Sequence, residues 1–84
     1  IDIRAEEEEF LMLRLRLCEG IPVREYEKRF HRDFFTQFGP VLDRYAAFFT
    51  QNPENVALTP RGMLVSNRLI VEMLSCLPEG EKDT

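Results

Sequence analysis

The first stretch of apolar residues lies near the start of the chain, where leucines alternate with other side chains from Phe10 to Cys18. Alternation is the spacing of a strand, but these residues are nearly all good helix formers and none is β-branched. The glutamates Glu6 to Glu9 precede the run and Gly20 follows it, which suits the two ends of a helix. The pattern therefore predicts a helix from about Arg4 to Cys18, followed by an extended linker at Ile21-Pro22.

Two arginines occupy unusual positions on this predicted helix. On a wheel at about 100° per residue, apolar side chains cover most of the circumference, and Arg14 falls inside the most apolar arc. Arg16 lies between Met12 and Leu13. A helix that is apolar nearly all round is buried on more than one side. Two interpretations stay open: the arginines extend along apolar surface or pair with an acidic residue, or they meet a ligand or a neighbouring domain.

The middle of the chain predicts shorter helices separated by turn residues. Apolar positions three and four apart predict a helix from Val23 to His31. Asp33 is expected to cap a third helix, Phe34 to Phe38, which Gly39-Pro40 interrupts. A further helix is expected from Pro40 to about Ala46.

A hairpin and a closing helix follow. Phe48–Thr50 and Val56–Leu58 are short strand-like runs, joined by a cluster of turn residues. Thr59 and Pro60 then predict the start of a helix, with the threonine as its cap and the proline at its first position. The side chains expected on the apolar face of this helix are Leu64, Leu69, Ile70, Met73, Leu74 and Leu77.

The order of these elements predicts a mostly helical fold with a small β-hairpin, resembling a winged-helix bundle. Three or four helices precede a two-stranded wing, and the closing helix follows it. An isolated hairpin is marginally stable, so the wing is expected to lie against the helices. Residues 1–78 are expected to form a single domain, because Pro78 ends the last helix and residues 79–84 are a polar tail.

Composition and net charge indicate which kinds of partner and location are expected for the chain. The 84 residues include 11 Lys and Arg against 15 Asp and Glu, a net charge of −4, so nucleic acid and anionic membrane surfaces are not expected partners. No stretch reaches the roughly 20 apolar residues of a membrane span. Cys18 and Cys76 form no C-x-x-C pair and predict reduced, mostly buried thiols in a cytoplasmic protein. Because the chain begins with Ile1 rather than Met, we interpret it as a piece of a longer protein.

The residues suggest no catalytic, cofactor-binding or metal site. His31 is the single histidine, and neither cysteine lies in a nucleophile motif. Zinc would need three or four ligands, and no glycine-rich phosphate loop is present. The run Glu6 to Glu9 is interpreted as a solvated helix start. The chain by itself is therefore not expected to catalyse a reaction.

The alternative that the residues themselves offer is an independent winged-helix module that binds nucleic acid. A basic cluster lies on the second predicted helix and just after it, and a wing follows. Glu25, Glu27 and Asp33 are interleaved with this cluster, which weakens the case. The basic residues are Arg24, Lys28, Arg29, His31 and Arg32.

Two segments carry a family resemblance when they are taken together. Residues 13–21, Leu-Arg-Leu-Arg-Leu-Cys-Glu-Gly-Ile, are similar to a Leu-Arg-Leu-x-x-Gly-Val/Ile motif, and residues 56–70 to a Leu-Thr-x-x-Gly motif followed by a helix that often carries Ser-Asn. Both motifs belong to the C-terminal domain of the oxygen-independent coproporphyrinogen III oxidase family of radical S-adenosylmethionine proteins. Arg14 departs from the family, which often has a small residue there, and Ala47-Phe48-Phe49 replaces its usual Gly-Leu. The matching motif positions are Arg16, Gly20, Thr59, Gly62 and Asn67.

The resemblance implies an accessory domain that packs on a catalytic barrel and helps cover its substrate cleft. In that family the barrel uses S-adenosylmethionine and holds a four-iron, four-sulfur cluster through three cysteines. The parent is an oxidoreductase that decarboxylates porphyrinogen propionates, or in a related branch a haem-binding chaperone. The implied partners are that barrel and, by contact, a porphyrin or haem. No catalytic residue carries over, and Cys18 and Cys76 lack the spacing of the cluster motif.

Each motif position has an expected physical role. Gly20 is expected at positive φ where the first helix ends, and Thr59 as the cap of the last helix. Gly62 is expected to let the last helix approach the first one closely. Arg16 and Asn67 are polar groups that must be satisfied inside the domain or offered to the barrel.

Overall fold

The structure of the protein is a computed structural model that describes residues 3–77. Pro78 and the predicted tail, residues 79–84, lie outside the described residues. Within them the fold is mostly helical with a small antiparallel sheet, so the predicted fold class is confirmed. The elements in chain order are α1 (Ile3–Leu15), β1 (Ile21–Pro22), α2 (Val23–Phe30), α3 (Phe34–Arg44), a 3-10 turn (Ala46–Phe48), β2 (Phe49–Gln51), β3 (Asn55–Leu58), α4 (Pro60–Leu64) and α5 (Ser66–Leu74).

The sheet has three strands in the order β1-β3-β2. The predicted hairpin is the β2–β3 pair, in which Phe49 lies opposite Leu58. β1 adds a second antiparallel partner for β3 and places Ile21 opposite Val56. The sequence predicted a linker here, because two residues are too few to show an alternating pattern. β3 is therefore the central strand, with its Val56 and Leu58 side chains buried.

An aromatic cluster fills the space between α1, α2 and α3. Tyr26 lies at its centre, with its ring centroid 5.3 to 6.2 Å from those of Phe10, Phe30, Phe34 and Phe38. Two of these four pairs are edge-to-face, the arrangement that the charge distribution of aromatic rings favours. All five side chains are buried. The cluster holds the three helices together and fixes the position of Tyr26.

α3 is a single helix, so the predicted interruption at Gly39-Pro40 is wrong. Asp33 is its cap, as predicted, and its carboxylate accepts a hydrogen bond from the Thr36 amide at 3.0 Å. Proline inside a helix costs about 3 kcal/mol. Phe38 and Val41, on either side of Pro40, are both buried. Burial of this continuous apolar face outweighs the cost of the proline.

The closing helix is divided at Val65, where φ is −119° and ψ is 29°. Leu69, Ile70 and Met73 are buried as predicted, but Leu64 is 86% exposed, so its predicted place on the apolar face is wrong. α4 turns Gly62 toward the sheet, and Leu64 therefore points away from it. The outer side of α4 and α5 consequently carries exposed apolar side chains.

α1 ends at Leu15 rather than at Cys18, and residues 16–19 form turns that end on a hydrogen bond from the Gly20 amide to the Leu17 carbonyl. Cys18 is exposed and Cys76 is half-buried, so the prediction of mostly buried thiols is wrong for Cys18. Both are free thiols. No helix among residues 3–77 has the length and apolar character needed to cross a membrane.

Candidate functional site

Gly20 adopts the positive φ that the sequence predicted, at 74°. A Cβ atom at this position would lie 2.2 Å from the Val56 carbonyl oxygen and 2.5 Å from the Ala57 Cα atom. Both are atoms of β3, so no rotamer change could relieve the contact. Gly20 thus serves two purposes: it allows the left-handed turn after α1, and it lets the chain pass directly against the central strand.

Thr59 and Gly62 form the start of α4 as a unit. The Thr59 hydroxyl oxygen accepts a hydrogen bond from the Gly62 amide at 3.0 Å, which confirms the predicted cap. A Cβ atom on Gly62 would lie 2.4 Å from the Phe48 carbonyl oxygen and 3.2 Å from the Leu58 side chain. The close approach of Gly62 is therefore to the 3-10 turn and β3, and the predicted approach to the first helix is wrong.

A hydrogen bond between Arg16 and Asn67 joins the two motif segments, residues 13–21 and 56–70. The Arg16 Nη2 atom donates a hydrogen bond to the Asn67 Oδ1 atom at 2.9 Å, on the exposed surface. Arg16 follows α1 directly, and Asn67 is the second residue of α5. The two motif segments, far apart in sequence, therefore meet around β3 and along the contact between α1 and α5.

Arg14 lies apart from the other motif residues, toward α2. Its Nη2 atom is 3.2 Å from the Glu25 Oε2 atom, and its guanidinium carbon is 5.0 Å from the centroid of the Phe10 ring. Arg29 approaches the same ring from α2, at 5.3 Å. Arg14 is thus held over an apolar surface and paired with a carboxylate, as in the first of the two interpretations of this residue.

A buried carboxylate that sequence reasoning missed lies at Glu7. Its side chain is 0% exposed, so the interpretation of the glutamate run as a solvated helix start is wrong at this position. The Tyr26 hydroxyl donates to Glu7 Oε2 at 2.5 Å, and Arg32 donates to both carboxylate oxygens, at 3.0 and 2.9 Å. Glu7 is three and four residues before the buried Phe10 and Leu11, and this spacing was the signal available in the sequence.

The Glu7–Tyr26–Arg32 network shifts the protonation of the tyrosine. Burial, and then the hydrogen bond to the Glu7 carboxylate, raise the pKa of Tyr26 above its usual value. The folded protein therefore keeps the phenol proton under conditions in which the unfolded chain releases it. The network is satisfied throughout, because each buried side-chain polar atom among the described residues has a hydrogen-bond partner.

This network predicts a loss of stability at alkaline pH. Unfolded tyrosine ionises near pH 10, so the free energy of unfolding should fall above about pH 10, by up to about 1.4 kcal/mol per pH unit. Tyr26→Phe should lack this component. Urea unfolding between about pH 8 and pH 11.5 measures the difference. Parallel pH profiles of the two proteins would contradict the prediction.

The described residues do not fit a metal centre. No group of three or more His, Cys, Asp and Glu side chains within residues 3–77 is arranged to hold a metal ion. Burial and the nearby Glu72 carboxylate raise the pKa of the Cys76 thiol, which disfavours the thiolate that binds metals.

Comparison with known protein families shows which family the chain belongs to. A sequence profile described as the HemN C-terminal domain matches residues 4–65, most of the chain. The chain belongs to this family. The comparison with curated proteins finds no match, and the comparison with solved structures finds none either.

The HemN C-terminal domain match covers α1 to α4 with the sheet between them. It includes Arg14, Arg16, Gly20, Thr59 and Gly62. Asn67 and the rest of α5 lie beyond the matched residues. The family context is that of radical S-adenosylmethionine proteins related to coproporphyrinogen oxidase, and the resemblance seen in the two sequence motifs is confirmed.

Proposed function

We propose that this HemN C-terminal domain is a structural accessory domain that packs on the catalytic barrel of a radical S-adenosylmethionine protein and helps cover its substrate cleft. The observation that supports the proposal is the set of large apolar side chains on its surface. On α1 these include Met12 and Leu13, and on α4 and α5 they include Leu64 and Val71. A small domain that stands alone would leave these side chains in water, whereas packing on a larger domain would bury them.

The chemistry of the parent protein would reside in the barrel. In this proposal the barrel carries the iron–sulfur cluster and binds S-adenosylmethionine, and the accessory domain contributes apolar surface and shape, in a cytoplasmic protein of porphyrin or haem metabolism. An oxidase and a haem chaperone of the family would use the domain in the same way. A porphyrin or haem would contact the domain only where the covered cleft brings the two together.

The experiment that tests the proposal is reconstitution. The chain is mixed with the barrel of a coproporphyrinogen III oxidase-family protein from which the C-terminal domain has been removed, and size exclusion with light scattering measures the mass. We expect a one-to-one complex, because in this proposal each part exposes a surface that packs against the other. Separate elution of two monomers, with no change in either, would overturn the proposal.

The nucleic-acid alternative predicts that the chain binds duplex DNA, which a titration at different salt concentrations tests. Arg32 of the basic cluster is committed to Glu7, and Arg29 stacks on Phe10 and Phe30, which leaves fewer cations for phosphates. A phosphate binder would bind duplex DNA and lose affinity steeply between about 50 and 200 mM salt. We expect no such binding.

A further inference from the structure

A cleft between α1 and α2 carries charges of both signs along one face of α1. It has a volume of about 340 Å³, and we call it the α1 cleft. Five of its six lining residues belong to α1 and are spaced three and four apart, so they lie on one side of that helix. The sixth comes from α2. The lining residues are Glu6, Glu9, Phe10, Leu13, Arg14 and Arg29.

The charges of the α1 cleft are separated along the helix axis and only partly neutralised. Glu6 and Glu9 precede the apolar positions of the face, and Arg14 lies in the last turn of α1. Arg14 is paired with Glu25. The two carboxylates and Arg29 form no ion pair within the part of the chain that the structure describes. One face therefore presents unpaired carboxylates at one end and guanidinium groups at the other.

We propose that the α1 cleft is the surface by which two copies of this chain pair, with their α1 helices antiparallel. In a two-fold arrangement the N-terminal end of one α1 faces the C-terminal end of the other, so the carboxylates of each copy meet the arginines of the other. A two-fold axis level with residues 11 and 12 places Glu9 opposite Arg14 of the second copy, and Phe10 opposite its Leu13. Leu13, which is 60% exposed in one copy, is then covered by the cleft of the other.

The order of charges in the α1 cleft favours a second copy over other occupants. A parallel pair would bring Glu9 and Arg14 opposite their own copies, where like charges repel. A small anion would meet the arginines, but Glu6 and Glu9 line the same cleft and would oppose its binding. An antiparallel second copy supplies an opposite charge at both ends of the face and an apolar side chain between them.

Sedimentation equilibrium of the 84-residue chain, from about 10 µM to about 1 mM, tests the inference. We expect a reversible monomer–dimer equilibrium with a Kd on the order of 100 µM, because one helix face buries much less area than the interface of a stable dimer. Raising the salt concentration from about 50 to about 500 mM should weaken the dimer severalfold, because salt screens exposed ion pairs. A chain that remains monomeric at the highest concentration would overturn the inference.

Two matched variants locate the interface. Leu13→Asp should weaken dimerisation at least about tenfold, because it places a charge in the middle of the paired surface. Leu64→Asp makes the same change on α4, at a side chain that is 86% exposed, and should leave dimerisation unchanged. Circular dichroism verifies that both variants fold. Equal effects of the two substitutions would mean that the copies do not pair through the α1 cleft.

Charge reversal tests the antiparallel orientation. Glu9→Arg and Arg14→Glu, made singly, each place like charges opposite each other and should weaken the dimer. Glu9 is exposed, so its substitution should not disturb the fold. Both changes in one chain should restore the dimer, because each position again faces an opposite charge. In a parallel pair, either single change would replace one contact between like charges by another, so single variants that dimerise like the unchanged chain would contradict the inference.

The inference goes beyond the proposed function and does not rest on it. All of these measurements are made on the chain alone, without the barrel. A chain that stays monomeric but forms the complex with the barrel would leave the proposed function standing and remove the pairing of copies. A chain that dimerises but forms no complex with the barrel would do the reverse.

Discussion

Glu7→Gln is expected to lower the free energy of unfolding by about 3 kcal/mol. The carboxylate is 0% exposed and accepts three hydrogen bonds, one from Tyr26 and two from Arg32. Glutamine has nearly the same shape, so little packing is lost. It cannot balance the arginine charge, however, and its amide would present a donor where a second acceptor is needed. Urea unfolding at neutral pH measures the change.

Glu9→Gln is the matched control. Glu9 belongs to the same glutamate run but is exposed, so the same substitution should change stability by less than about 0.5 kcal/mol. If the Glu7 variant lost no more stability than the Glu9 variant, the network would contribute nothing measurable to the fold. Adding Arg32→Met to Glu7→Gln should cost less than the sum of the two single changes, because the residues act as one unit.

Gly20→Ala is expected to destabilise the domain by at least about 3 kcal/mol, or to prevent folding. A left-handed conformation costs a residue with a Cβ atom roughly 1 to 2 kcal/mol, and forced overpacking adds about 1 to 3 kcal/mol. Here the added atom would lie 2.2 Å from a backbone oxygen of β3, so the strand itself would have to move. Thermal and urea unfolding, or the yield of folded protein, measure the effect.

Gly39→Ala makes the same chemical change at a position that no other element approaches. Gly39 lies within α3, and apart from its chain neighbours and the backbone of the helix itself, a Cβ atom there would meet nothing within 4 Å. The greater helix propensity of alanine is opposed by the ring of Pro40, which disfavours the helical conformation of a preceding residue that has a Cβ atom. This variant should therefore change the free energy of unfolding by less than about 1 kcal/mol, far less than Gly20→Ala. Similar effects of the two substitutions would show that the turn after α1 adapts, and that Gly20 is not required there.

The features that depend on neighbours in sequence were predictable. The caps at Asp33 and Thr59 were found because a cap joins a side chain to an amide three residues later. The β2–β3 hairpin was found because its strands are separated by a short run of turn residues. The positive φ of Gly20 followed from its place after a helix. The matched family was also recognised from two short motifs.

The features that depend on distant residues were not predictable. β1 is a strand because β3, more than 30 residues later, provides its hydrogen-bond partner. Glu7 is buried because Tyr26 and Arg32 arrive from α2 and the turn after it to satisfy its charge. Leu64 is exposed because Gly62 packs against Phe48 and rotates α4. Hydrophobic periodicity alone therefore assigns Leu64 to the wrong side. The spacing of Glu7 places it beside Phe10 and Leu11, but the sequence of one helix contains no record of the distant partners that allow a carboxylate to be buried there.

The sheet has a consequence for how this domain associates with other proteins. β3 is paired on both sides, β1 is two residues long and ends in Pro22, which has no amide hydrogen to donate, and β2 is three residues long. Short edges and an edge proline discourage the addition of a foreign strand and the growth of aggregates from the sheet. Association with other chains through the edges of this sheet is therefore disfavoured.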